Sequence, residues 1–109
     1  VVTQAVQYIR AVAPVYPIHV SEVAARSSLS LSGFNKHFSQ HMGHTPKEEI
    51  KRVRLAKIQA SLKNSNDKIS KIAKDMKFGS PEELSRFFKR ETGMVPKEYR
   101  SSYQNVNSL

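Results

Sequence analysis

The sequence predicts an all-α fold: two helix-turn-helix subdomains joined by a long central helix. Three observations predict it. The stretch "GHTPKE" at Gly43–Glu48 returns as "GMVPKE" at Gly93–Glu98. Apolar residues recur at helical spacing along the chain, and no segment carries the alternation of a strand. Between the two copies runs a helical segment with two apolar sides, which is the pattern of an element packed on both.

The elements follow in order. Val2, Ala5, Val6, Ile9 and Ala13 share one helical face, which predicts a first helix over Val2–Ala13, stopped by Pro14 and Pro17. A short helix is expected over Ser21–Ser27 with Val23 and Ala24 inward. "SLSGFNKHFSQHM" reads as a third helix: Ser30 is its N-cap, Phe34, Phe38 and Met42 are its inner stripe, and Gly43 closes it. Thr45-Pro46-Lys47-Glu48 is a capping box with proline at the first helical position, and it opens the long helix, expected over Pro46–Lys63. Ile50, Val53, Ala56 and Ala60 form one of its stripes; Leu55, Ile58 and Leu62 form the other. "NSND" at Asn64–Asp67 is a loop. The next short helix turns Ile69, Ile72, Ala73 and Met76 inward. Ser80-Pro81-Glu82-Glu83 is a second capping box, and its helix carries Leu84, Phe87 and Phe88 before Gly93. Pro96 starts a last short helix through Tyr99, and the polar tail from Ser101 is expected to fray.

The repeat extends well beyond six letters. Ser30 pairs with Ser80, Phe34 with Leu84, Lys36 with Arg86, Phe38 with Phe88, Gly43 with Gly93 and Pro46 with Pro96. Upstream, Ser21 pairs with Ser70, Val23 with Ile72, Ala24 with Ala73 and Leu29 with Phe78, one residue being gained near Gly79. Each copy is a short helix, a tight turn, a longer helix, a glycine and a proline-capped helix, and such internal repetition marks a repeated structural module. The organisation expected is an N-terminal subdomain over residues 1–45, a linker helix over 46–64 and a C-terminal subdomain over 65–109.

The second helix of such a unit lies in the DNA major groove. With Phe34 facing inward, Ser32, Asn35, Lys36 and Ser39 fall roughly 100–200° away, and the second copy places Glu82, Ser85, Arg86 and Lys89 there. These are candidate base-reading residues, able to donate to guanine or to phosphate. Ser30 and Ser80, with the free N–H groups of the helix starts, and Lys47, Arg54 and Lys97 are candidate phosphate contacts. A long helix of about 18 residues extends about 27 Å, near the spacing of successive major grooves.

The balance of charge agrees. The 109 residues carry 18 Lys+Arg against 9 Asp+Glu, a formal net charge of +9, which favours a polyanion: nucleic acid or an anionic membrane surface. There is no cysteine, which excludes disulfides, thiol nucleophiles and cysteine-ligated zinc. No apolar run is long enough to span a bilayer. The start at Val1, with a helix already under way, reads as a fragment of a longer protein. His37, His41 and His44 have a spacing that zinc ligands can use, but His37 pairs with Phe87 of the other copy, so packing or phosphate contact is expected and no metal or other cofactor. Glu48-Glu49 and Glu82-Glu83 stand in first helical turns, where the macrodipole favours acids, and no constellation supports an enzyme.

This layout resembles the DNA-binding domain of the AraC/XylS family of bacterial transcription regulators. The most specific stretch is "ISKIAKDMKFGSPEELSRFFKRETGMVPKEYR", Ile69–Arg100, and the likeness covers roughly Val2–Arg100. It implies about seven helices, and places Ser32, Asn35 and Lys36, with Pro81, Glu82, Ser85 and Arg86, at base-reading positions. "VVTQAVQYIRAVA" and "PKEYRSSYQNVNSL" are similar to the xylose-operon branch, whose members carry a sugar-sensing domain ahead of this one. The implied partners are double-stranded DNA, RNA polymerase, and an effector such as xylose bound by a sensing domain outside this chain, in the bacterial cytoplasm at the nucleoid. A basic protein-interaction module with only non-specific DNA affinity is the alternative. Two departures stand out: Ser28 and Lys77 replace the glycine usual before the apolar turn residue, and Gly33 weakens the first reading helix by about 1 kcal/mol relative to alanine.

Overall fold

The computed structural model describes the backbone of residues 1–107 and the side chains of residues 1–104. Seven helices stand among the described residues, without strands: α1 (Val2–Val12), α2 (Val20–Ala25), α3 (Leu31–Met42), α4 (Pro46–Asn64), α5 (Ile69–Asp75), α6 (Pro81–Thr92) and α7 (Pro96–Asn107). The chain divides into two compact units, Val1–Arg54 and Leu55–Leu109, and the division falls inside α4.

In the first unit, Val6 and Ile9 of α1, Val23 and Ala24 of α2, Phe34 and Phe38 of α3, and Ile50 of α4 enclose one apolar core. Phe34 and Phe38 are fully buried with ring centroids 5.8 Å apart. In the second unit, Ile58 and Leu62 of α4, Ile72 and Ala73 of α5, Leu84 and Phe88 of α6, and Tyr99 of α7 enclose another. Phe88 meets Tyr99 edge to face at 5.1 Å. The two-sided pattern of α4 is thereby explained. Its N-terminal half closes the first unit, as α7 closes the second; its C-terminal half opens the second unit, as α1 opens the first. Ile9 and Ile58, equivalent in this scheme, are both fully buried.

The ends of the helices follow local chemistry. Ser30 Oγ accepts from Gly33 N–H at 3.1 Å, and Ser80 Oγ accepts from Glu83 N–H at 3.1 Å. The Glu83 carboxylate reaches back to Gly79 N–H at 2.9 Å, the reciprocal half of the box. Gly43 and Gly93 end α3 and α6 with φ of 78° and 82°, the left-handed conformation that glycine adopts without penalty.

Two expectations need correction. Ala56 and Ala60 are exposed, because α4 passes from one core to the other between Val53 and Leu55 and neither apolar stripe is covered along its whole length. The last helix does not stop near Tyr99 and the tail does not fray at Ser101: α7 runs to Asn107, leaving only Ser108 and Leu109 of that tail outside the described residues. Tyr103, one turn beyond Tyr99, meets its ring at a tilt with centroids 4.8 Å apart, and the Lys63 ammonium lies 4.3 Å from the Tyr103 ring, which holds this extra turn against α4. Glu49 stands in the first turn of α4 as expected, and it is buried, which its position alone did not indicate. It binds His44 Nε2 at 2.6 Å and Arg10 Nε at 3.5 Å.

Candidate nucleic-acid interface

The outward faces of α3 and α6 carry the candidate residues. On α3, Ser32 and Lys36 are exposed, while Asn35 and Ser39 are half-buried at the margin of the same face. Asn35 Nδ2 donates to the Leu31 carbonyl at 3.0 Å, which holds its amide along the first turn and leaves Oδ1 to accept. On α6, Glu82, Arg86 and Lys89 are exposed and Pro81 and Ser85 half-buried. No ion pair among the described residues engages Lys36, Arg86 or Lys89, so these cations remain open to a polyanion. Pro81, Glu82, Ser85, Arg86 and Lys97 line one open groove of about 420 Å³ in the second unit, so the start of α7 stands beside the outward face of α6.

The phosphate candidates divide. Lys47 and Lys97 are exposed in the first turns of α4 and α7. A cation there faces the positive end of the helix dipole, an unfavourable placement that a bound phosphate relieves. Ser30 and Ser80 use their oxygens as caps and keep their hydroxyl protons for donation.

Arg54 is a correction. It is buried, at 6% exposure, and its guanidinium donates to the Ala13 carbonyl at 2.6 Å, so it closes the C-terminal end of α1 and cannot meet a phosphate. Arg100 does the equivalent work in the second unit. It donates to the carbonyls of Leu62 at 3.2 Å and Ser65 at 3.3 Å at the end of α4. By sequence alone Arg54 is one of several cations on α4, with Lys47, Lys51, Arg52 and Lys57. The signal that would have found it is its phase, one turn from both Ile50 and Ile58 on the buried side of α4.

Other cations are engaged by neighbours. Lys71 pairs with Asp75 at 2.7 Å and Asp67 at 3.7 Å. The hydrogen bond to Asp75 raises the Lys71 pKa, and the same bond lowers that of Asp75. Arg26 lies over the Tyr8 ring at 4.1 Å. The imidazoles of His37 and His41 meet at a tilt with centroids 4.8 Å apart, and no group of three metal-ligating side chains occurs among the described residues.

Two capped helices, each second in a tight bihelical turn and each presenting a polar, cation-bearing face, define a protein with two helix-turn-helix units. A family of helix-turn-helix domains matches residues 23–102. The chain belongs to this family, in its AraC-type branch of transcription-regulator DNA-binding domains.

Its relatives include the transcriptional activator RhaS of Escherichia fergusonii, 36% identical over 78 residues, which are 72% of this chain and 28% of that one. The transcriptional regulator Rv1931c of Mycobacterium tuberculosis is 30% identical over 84 residues, 77% of this chain and 32% of that one. The chain thus spans less than a third of the length of these curated relatives. Among solved structures, the DNA-binding domain of AdpA in complex with a target DNA shares the fold at a TM-score of 0.84 and 24% identity, covering 99% of this chain and 96% of that one. The xylose-binding transcription activator xylR matches at 0.75 and 29% identity, covering 91% of this chain and 26% of that one.

Proposed function

We propose that this chain is the DNA-reading part of a bacterial transcription regulator, with α3 and α6 each entering a major groove of one duplex. The observation that carries the reading is the pair of exposed, unpaired cations, Lys36 and Arg86, at equivalent positions of two capped helices. Lys36 and Arg86 donate to guanine acceptors, and Glu82 accepts from cytosine N4. Ser32, Asn35, Ser39, Pro81, Ser85 and Lys89 complete the two base-reading faces. Ser30, Ser80, Lys47 and Lys97 hold phosphates and set the register. In this reading residues 1–45 and 65–109 are the reading subdomains and 46–64 the helix between them.

The likeness to xylR supports a further assignment, a sugar-binding domain elsewhere in the full regulator, and a promoter-bound regulator has RNA polymerase as its natural partner. No described helix is long and apolar enough to cross a membrane, and a DNA partner puts the chain at the nucleoid in the cytoplasm. The test is equilibrium binding of this chain to a duplex selected from random sequence and to its scrambled counterpart at physiological salt. A preference on the order of 10³ is expected. Equal affinity for both duplexes would refute sequence reading and leave only the net charge of +9 acting on DNA.

A further inference from the structure

We propose that Leu31, with Leu29 beside the same helix start, reads the 5-methyl group of thymine in the half-site served by α3. The inference rests on the DNA-reading assignment above and extends it to the identity of a base. Leu31 is the first residue of α3 and is 49% exposed; Leu29, in the turn before it, is 37% exposed. Their counterparts in the second unit are placed otherwise. Phe78 packs against the second core with its ring 5.9 Å from Phe87, and Pro81 is half-buried. The apolar turn position that the second unit uses for packing is turned to solvent in the first.

With Phe34 inward, Leu31 lies roughly 60° round the helix, at the edge of the reading face next to Asn35. The N-terminal residues of a recognition helix are those that reach base edges. Asn35 donates to the Leu31 carbonyl, so the acceptor oxygen of Asn35 and the apolar side chain of Leu31 flank one turn. An amide oxygen that accepts from adenine N6 and a leucine that covers a thymine methyl suit A·T pairs, the pairs that offer both groups in the major groove. The occupant is DNA rather than an apolar protein surface, because the exposed leucines open a helix that carries the exposed Lys36 and no acidic residue.

Gly33 adds a second observation. Its φ is not in the left-handed range, so its backbone does not require glycine, and it weakens α3. A Cβ there would stand 3.9 Å from Leu29 Cβ and 3.1 Å from Ser30 Oγ; without it, the backbone can approach a base closely beside Leu29.

The experiment is a cycle of two changes. Binding sites are selected with the wild-type chain, and each thymine of the half-site lost in Lys36→Ala is replaced in turn by deoxyuridine, which removes only the methyl. At one position the wild type should lose about fourfold in Kd. Leu31→Ala, folded to the same melting temperature, should bind the thymine and uridine duplexes equally. A wild type that keeps its motif yet responds to no uridine overturns the inference, as does a Leu31→Ala chain that still loses fourfold, or a half-site without thymine. If selection returns no motif, the DNA-reading assignment fails and this inference fails with it.

Discussion

The two units are built to one plan and stabilised by different chemistry. In the second, the turn between α5 and α6 is closed by the backbone. Phe78 N–H bonds the Ala73 carbonyl at 2.9 Å, Lys77 N–H bonds Lys74 at 3.1 Å, and Lys77 takes φ of 61°. This is a Schellman closure with lysine in the conformation that favours glycine. In the first unit no residue of the turn has positive φ. Ser27 closes it with its side chain, donating to the Ala24 carbonyl at 2.7 Å and accepting from Leu29 N–H at 3.2 Å. The corner after the reading helix differs as well. His44 and Glu49 form a buried polar pair where the second unit has Met94 and Tyr99 packed on its core. What the repetition retains is the position of a capped helix against a core. The means of holding it, and the face it presents, have diverged.

The largest effects should come from the cores. Phe38→Ala and Phe88→Ala each delete a fully buried ring and should cost about 3–5 kcal/mol. Amide exchange should rise first in the mutated unit; uniform loss of protection in both would show that the two cores do not act as separate units.

Next come the arginines turned onto helix ends, Arg54 buried and Arg100 half-buried. Arg54→Ala and Arg100→Ala should each cost about 1.5–3 kcal/mol, the worth of a hydrogen bond made by a charged group. Arg54→Ala should leave the salt dependence of DNA binding unchanged, whereas Lys47→Ala should leave stability unchanged and lower the salt slope by about one unit. Urea melts and binding titrations over salt would separate the two.

Arg86→Ala should weaken specific binding by about 1–3 kcal/mol and relax preference in one half-site, with Lys36→Ala doing the same in the other. Loss of affinity without change of preference would make either residue a phosphate contact.

The smallest effect sharpens the comparison of turns. Lys77→Gly should stabilise by about 1 kcal/mol by relieving its left-handed φ. Ser28→Gly should give no such gain, and a thermal melt of the two variants compares the turns directly. Equal gains would mean that both turns are closed by the backbone.

Much of this was legible because it is local. The caps Ser30 and Ser80, the helix-opening Pro46 and Pro96, and the closing Gly43 and Gly93 act on neighbours within a few residues, so spacing reveals them. Which faces of α3 and α6 turn outward followed from the phase of Phe34 and Leu84, both fully buried. Arg54 was missed because its partner, Ala13, lies 41 residues away, and cations on a long helix do not announce which of them turns inward. Glu49 was missed for the same reason: Arg10 lies on another helix. The extra turns of α7 were foreshadowed by Tyr103 one turn after Tyr99, but depend on Lys63 of α4, a contact that no local pattern encodes.

The central claim is that the repeat supplies two reading heads of unlike chemistry. Selection of binding sites from random duplex DNA, run in parallel with the wild type, Lys36→Ala and Arg86→Ala, tests it most directly. The account predicts two unlike short motifs centred about one helical turn, roughly 10 bp, apart. Lys36→Ala should erase one of them and Arg86→Ala the other. A single motif lost in both variants, or no motif and binding that disappears as salt rises, would contradict it.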